Sequence, residues 1–148
     1  MKIIINGEIK SNILKYKFSE KGFYIIYLIS YNNLTNMSYM FCNCSSLKEL
    51  NLLSFNTNQV TNMSSMFSDC SSLKELNLSS FNTNKITNMA FMFYNCSSLK
   101  ELNLSSFKTN QVTDMEKMFE GINKSCKIKC KDERILRAFS EYTSCIIV

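Results

Sequence analysis

Polar and apolar residues recur along this chain at one fixed step. Thr-Asn-Met-Ser-Tyr-Met-Phe at 35–41 returns as Thr-Asn-Met-Ser-Ser-Met-Phe at 61–67, then as Thr-Asn-Met-Ala-Phe-Met-Phe at 87–93 and Thr-Asp-Met-Glu-Lys-Met-Phe at 113–119. The step is the same each time, as the series Thr35, Thr61, Thr87, Thr113 shows. A second block, Leu-Lys-Glu-Leu-Asn-Leu, repeats with the same step at 47–52, 73–78 and 99–104. Phe55, Phe81 and Phe107 follow it, and Cys44, Cys70 and Cys96 precede it. Self-similarity at this period is the signature of a stacked repeat architecture.

Each unit divides into two elements. Leu76 and Leu78 alternate with Asn77, the pattern of a half-buried strand. In Thr-Asn-Met-x-x-Met-Phe the apolar positions fall at i, i+3 and i+4, which predicts one face of a short helix with Thr87 as its N-cap. One such unit cannot bury its apolar face alone, whereas stacked units pile equal residues into columns about 4.8 Å apart. Met37, Met63, Met89 and Met115 form one such column, and Met40, Met66, Met92 and Met118 another. Their regular recurrence reads as core packing. The expected fold is therefore an α/β solenoid, with a short parallel sheet on one side, short helices on the other, and distinct caps.

The whole chain, 1–148, reads as one repeat domain. Residues 1–20 are expected to form an N-terminal cap, with Ile3–Ile5 and Glu8-Ile9 as a hairpin about Asn6-Gly7. About four units occupy 21–130. Tyr24-Ile25-Ile26 stands one full step before Leu50-Asn51-Leu52 and reads as a degenerate first strand, while Lys127–Cys130 holds the strand place of the last unit. Residues 131–148 read as a closing cap, a helix over 132–142 with Ile135, Leu136 and Phe139 inward, then a strand over 145–148.

The run Leu73, Leu76, Leu78, Phe81 resembles a leucine-rich repeat. With its tail Thr-Asn-Met-x-x-Met-Phe-x-x-Cys it is similar to the BspA-type family, known from bacterial and mycoplasma surface proteins and from parasitic protists. That resemblance covers roughly 21–130. It implies a solenoid with a concave parallel sheet and roles in adhesion or protein binding. Leucine-rich repeats usually carry Asn or Cys where this chain has Phe55, Phe81 and Phe107, so an aromatic spine replaces their polar ladder.

Net charge is +5, unevenly spread. Residues 1–33 and 122–148 each carry a net +3, and residues 34–121 carry −1. Basic ends around a near-neutral middle read as solubilising caps. A nucleic-acid reader would show a continuous basic face, so nucleic acid is not the expected partner. No stretch has the length of a signal-peptide core or a membrane span, and a cytoplasmic location is expected ahead of the cell surface. Eight Asn-x-Ser/Thr sequons include Asn77 and Asn103 on the sheet, where a glycan would obstruct binding; this too argues against a eukaryotic secretory route.

The chain has no His, which removes the commonest general base and transition-metal ligand. Gly-x-Ser-x-Gly and phosphate-loop patterns are missing. Cys44, Cys70 and Cys96 fall in one column and read as buried reduced thiols; a disulfide between adjacent coils is the geometric alternative. Cys126 and Cys130 lack a second ligand pair for zinc, and Cys42 is expected to be exposed. Glu49, Glu75 and Glu101 are expected to pair with Lys48, Lys74 and Lys100. We expect no enzymatic activity, cofactor, metal or small-molecule substrate.

The expected function is a protein–protein interaction module; the alternative is a surface adhesin of the BspA type. Two surfaces are candidates for the partner. On the sheet, Glu49 and Asn51 repeat as Glu75 and Asn77, then as Glu101 and Asn103, a uniformity suited to a repetitive ligand. On the helix side residues vary: Tyr39 aligns with Ser65, Phe91 and Lys117, and Cys42 with Ser68, Tyr94 and Glu120. Tyr39, Phe91 and Tyr94 are the aromatic candidates there, either as contact residues or as cover for a terminal segment.

Overall fold

The computed structural model describes residues 2–5, 8–11, 26–29, 34–52, 55–143 and 146–147. Strands β1 (Lys2–Ile5), β2 (Glu8–Ser11) and β3 (Ile26–Ile29) form an antiparallel sheet in the order β2-β1-β3. Ile4 lies opposite Ile9, as a hairpin requires; its Asn6-Gly7 turn lies outside the described residues. The expected first repeat strand is corrected here. Ile26 pairs with Ile5 in this antiparallel sheet, and Tyr24 and Ile25 lie outside the described residues.

The second sheet is parallel, in the order β4-β5-β6-β7. Its strands are β4 (Glu75–Asn77), β5 (Glu101–Asn103), β6 (Lys127–Lys129) and β7 (Ile146–Ile147). Leu76 lies beside Leu102 and Leu102 beside Ile128, each pair one repeat apart. Period-two alternation turns these three side chains inward while their neighbours face out. β7 adds Ile147 beside Ile128; Cys145 and Val148 of the expected last strand lie outside the described residues. Residues 49–51, one period before β4, are not a strand, although Leu52 is buried.

A second ladder joins the units through their Thr-Asn-Met segments. Asn36, Asn62, Asn88 and Asp114 bridge in parallel. The N–H groups of Met37, Tyr39, Phe41 and Asn43 donate to the carbonyls of Asn62, Ser64, Met66 and Ser68 in the next unit, at 2.8–3.1 Å. The same four bonds join 63–69 to 88–94 and 89–95 to 114–120. The expected short helices are therefore replaced by stacked turns. A helix needs these N–H groups for its own i−4 carbonyls, and here alternate ones are given to the neighbouring unit. The remaining N–H groups close i→i+3 turns, such as Met66 to Met63 and Ser68 to Ser65. Each segment turns through left-handed residues, at Tyr39, Ser65, Phe91 and Lys117 (φ 50–58°) and again at Asn43, Asp69, Asn95 and Gly121 (φ 54–75°). The second set suits its residue types, since Asn, Asp and Gly visit this region most readily. At Gly121 a Cβ would also run into Asn95 Oδ1.

Thr87 is not the cap expected of it. Its Oγ1 donates to the Thr61 carbonyl at 3.2 Å, as Thr61 does to Thr35 and Thr113 to Thr87. The following residue does the capping instead: Asn36, Asn62, Asn88 and Asp114 each accept, through Oδ1, the N–H two residues on. These are Asx turns.

Both ladders enclose one apolar cluster. Of the methionine columns, Met37, Met63, Met89, Met66, Met92 and Met118 are buried, and Met40 and Met115 are half-buried at the ends. Phe41, Phe67, Phe93 and Phe119 stack ring on ring, with centroids 5.6, 5.8 and 5.5 Å apart. Phe81 and Phe107 form a second stack at 6.5 Å. Helix α1 (Glu133–Ser140) closes the C-terminal end, burying Ile135 and Phe139, the latter edge-on to Phe119 at 5.2 Å.

Asp132 ties this helix to the repeats. Its carboxylate accepts the N–H groups of Arg134 and Ile135 as an N-cap. It also accepts both the N–H and the Oγ1–H of buried Thr109. Thr57 and Thr83, the equivalents of Thr109, donate instead to the carbonyls of Asn82 and Lys108 in the next unit. Asp132 thus takes the place of the missing unit. Arg134 Nη1 adds bonds to the carbonyls of Thr109 and Val112.

Candidate functional site

The outward face of the parallel sheet holds a depression of about 400 Å³. Glu75 and Asn77 from β4, Glu101 and Asn103 from β5, and Lys127 and Lys129 from β6 line it, over a floor of Leu76, Leu102 and Ile128. Four of the residues expected from the sequence thus meet in one place. Glu49 and Asn51 are exposed but lie outside any strand and outside the depression. Lys127 and Lys129 were not among the expected residues. Their signal was positional, since each stands one repeat after Glu101 or Asn103 and pairs with it.

The expected pairing of the glutamates with Lys48, Lys74 and Lys100 is not made. Among the described residues the ion pair is Lys117 with Glu120, at 3.5 Å on the surface. In-register parallel pairing explains this, because it sets like beside like: Glu75 is the partner of Glu101. The Lys100 N–H bonds to the Lys74 carbonyl, so those residues also neighbour each other. Across the strands the exposed face reads carboxylate, carboxylate, ammonium in one row and amide, amide, ammonium in the next.

The turn side carries the aromatic candidates. Tyr39 is 64% exposed, the most exposed large apolar side chain among the described residues. Phe91 and Tyr94 are half-buried and meet edge to face at 5.8 Å. Between the units bearing Tyr39 and Phe91, the ladder presents Ser65 and Ser68, both buried. Ser68 Oγ donates to Asp69, whose other oxygen accepts from Asn95 Nδ2, both at 2.9 Å.

Cys42, Cys44, Cys70, Cys96, Cys126 and Cys130 are free thiols. Cys70 and Cys96 are fully buried and donate to the carbonyls of Phe41 and Phe67. Cys44 is exposed and Cys42 half-buried, the reverse of a uniform buried column and of an exposed Cys42. Burial pushes the Cys70 thiol up from 9.0 to about 12 and the Cys126 thiol to about 11; Cys96 is raised further. Burial raises the Cys44 thiol too, but Cys44 is exposed, so in the native protein a disulfide reagent at pH 8 should modify it while Cys70 and Cys96 stay protected until denaturant is added. Because these folded values are raised, the thiols bind protons more tightly in the folded state. Their contribution is present below pH 9 and is lost as pH rises toward 12. Equal labelling of all thiols at pH 8 would contradict this.

Among the described residues, no group of three His, Cys, Asp or Glu side chains is placed to hold a metal ion. Nor is any described helix long and apolar enough to cross a membrane. None of the curated proteins and none of the solved structures compared with the chain matches it. One family model does, the one described as "Mycoplasma protein of unknown function, DUF285", over residues 15–130. The match spans most of the chain and covers the turn ladder together with β4, β5 and β6, and the chain therefore belongs to the DUF285 family.

Proposed function

We propose that this chain is a non-enzymatic protein-interaction module on a leucine-rich-repeat-like solenoid, in which stacked turns replace the outer helices. The in-register ladders and the single core support the solenoid reading. One observation carries the functional reading. On a scaffold that repeats almost residue for residue, Tyr39, Phe91 and Tyr94 depart from the repeat and reach solvent. Repeat scaffolds bind through such variable positions, and Tyr is among the residues enriched in binding hot spots.

Two of these aromatics also sit on left-handed backbone, Tyr39 at φ 58° and Phe91 at φ 57°. Ser65 and Lys117 hold the same conformation at the equivalent positions, so it belongs to the turn, and the side chains alone carry the reading. The test is a pull-down from cell extract with the wild-type chain against the Phe91→Ala, Tyr94→Ala double variant. The variant should lose about 2 kcal/mol of partner affinity, roughly 30-fold, while still unfolding in one cooperative thermal transition. Undiminished recovery would remove the aromatic face from consideration.

A second reading is a surface adhesin of the BspA type. The DUF285 membership and the Thr-Asn-Met-x-x-Met-Phe tail favour it. Cell fractionation with protease treatment of intact cells separates the two.

A further inference from the structure

We infer that the depression over β4, β5 and β6 is a second binding site, and that it takes an extended peptide segment lying across the strands with a basic side chain about three residues from an acidic one. On this face the fold sets carboxylate beside carboxylate. Glu75 and Glu101 are adjacent strand partners, and like charges directly opposite each other repel. The ladder forces this arrangement, since register brings identical positions together. Lys127 replaces the carboxylate one strand later, and Lys129 replaces the amide of Asn103.

The polarity therefore changes across the sheet and not along a strand. Along β4 the exposed residues are Glu75 and Asn77; along β6 they are Lys127 and Lys129. A segment added to the sheet edge would run along the strands and meet one sign only. A segment crossing them meets both. Two strand spacings separate Glu75 from Lys127, about 10 Å, and an extended chain covers that in about three residues. A cation between Glu75 and Glu101 relieves their repulsion, and an anion between Lys127 and Lys129 completes the match. The buried Leu76, Leu102 and Ile128 keep the floor rigid beneath these contacts. This site rests on the reading of the chain as a binding module, and it does not depend on the aromatic face.

The experiment uses the full chain and three blocked synthetic peptides: two lysines and two glutamates joined by a two-glycine spacer, an all-lysine peptide, and an all-glutamate peptide. Binding is read by fluorescence anisotropy at low ionic strength, where surface charge is least screened. The mixed peptide should bind best, and added salt should weaken it. In the Lys127→Glu, Lys129→Glu variant the mixed peptide should lose about tenfold in affinity and the all-lysine peptide should gain about tenfold. Both residues are exposed, so the fold should persist, and a circular-dichroism melt checks that it does.

No binding of the mixed peptide, or equal binding of a single-sign peptide to the wild type, would overturn the assignment. So would an unchanged affinity after the charge reversal. The Phe91→Ala, Tyr94→Ala variant should bind the mixed peptide as the wild type does; a loss there would move the peptide to the turn side and overturn the site. If the peptides fail while partner pull-down succeeds, this site falls and the module reading stands.

Discussion

Replacing Phe93 with alanine is expected to destabilise the chain by about 3–5 kcal/mol, the range for deleting a fully buried aromatic ring. Phe93 is 0% exposed and lies between Phe67 and Phe119, nearly parallel to both at 4° and 9°. Removing the ring takes a partner from each neighbour and opens a void at the centre of a four-ring column. The stacked units give the surroundings little room to collapse into it, because the ladder bonds from Phe67 to Met92 and from Phe93 to Met118 fix the spacing. Urea unfolding measures the effect. Phe93→Leu, which keeps most of the apolar volume, should cost less than half as much. The alanine variant should also unfold with a lower m-value, as coupling between the two halves weakens. A loss below about 1 kcal/mol would mean that the column is not packed as described.

Asp132→Ala should cost at least about 3 kcal/mol, from two sources. Losing the N-cap of α1 accounts for about 1 kcal/mol. The rest comes from Thr109, which is 2% exposed and whose N–H and Oγ1–H both lose their acceptor. Buried donors left unsatisfied cost about 1–3 kcal/mol each. Asp132→Asn keeps one acceptor oxygen and should fall between alanine and wild type. Thermal melts followed at a helical wavelength read the first effect. Amide exchange at Thr109 and Phe139 reads the second, since both should lose protection together if the cap detaches as a unit. Unchanged exchange at Thr109 would show that Asp132 caps the helix alone.

Much of this architecture is legible in the period alone. The constant step places Leu76 beside Leu102 and Leu102 beside Ile128 without any knowledge of the backbone, and it places Met63 and Met89 inside. What the pattern cannot distinguish is a helix from a stack of tight turns. Met at i and i+3 with Phe at i+4 faces inward in either form. The choice is made by backbone N–H groups, which the neighbouring unit takes at Tyr39, Phe41 and Asn43. The residues Asn43, Asp69, Asn95 and Gly121 carry a trace of this, being the types that tolerate left-handed backbone. Tyr39, Ser65, Phe91 and Lys117 carry none.

The candidate sites divide in the same way. Glu75, Asn77, Glu101 and Asn103 are legible because they repeat, whereas Lys127 and Lys129 break the repeat and become visible only once β6 is seen in register. The role of Asp132 depends on which carbonyl is missing at the end of the threonine column, and that is a property of the assembled stack.

The ladder bonds have a consequence for how the chain can change in length. From Met to Asn in each turn segment an interior unit donates to the one after it, and through its threonine it donates to the one before it, at the same positions each time, so any unit meets its neighbours through an interchangeable joint. An in-frame duplication of one whole unit, such as 75–100, would add one strand and one turn. The new copy would find its donors and acceptors already placed, and both ends would keep their closures. Recombination among these near-identical segments would then lengthen or shorten the sheet and the turn ladder in steps of about 4.8 Å. Insertions of any other length would have to loop out.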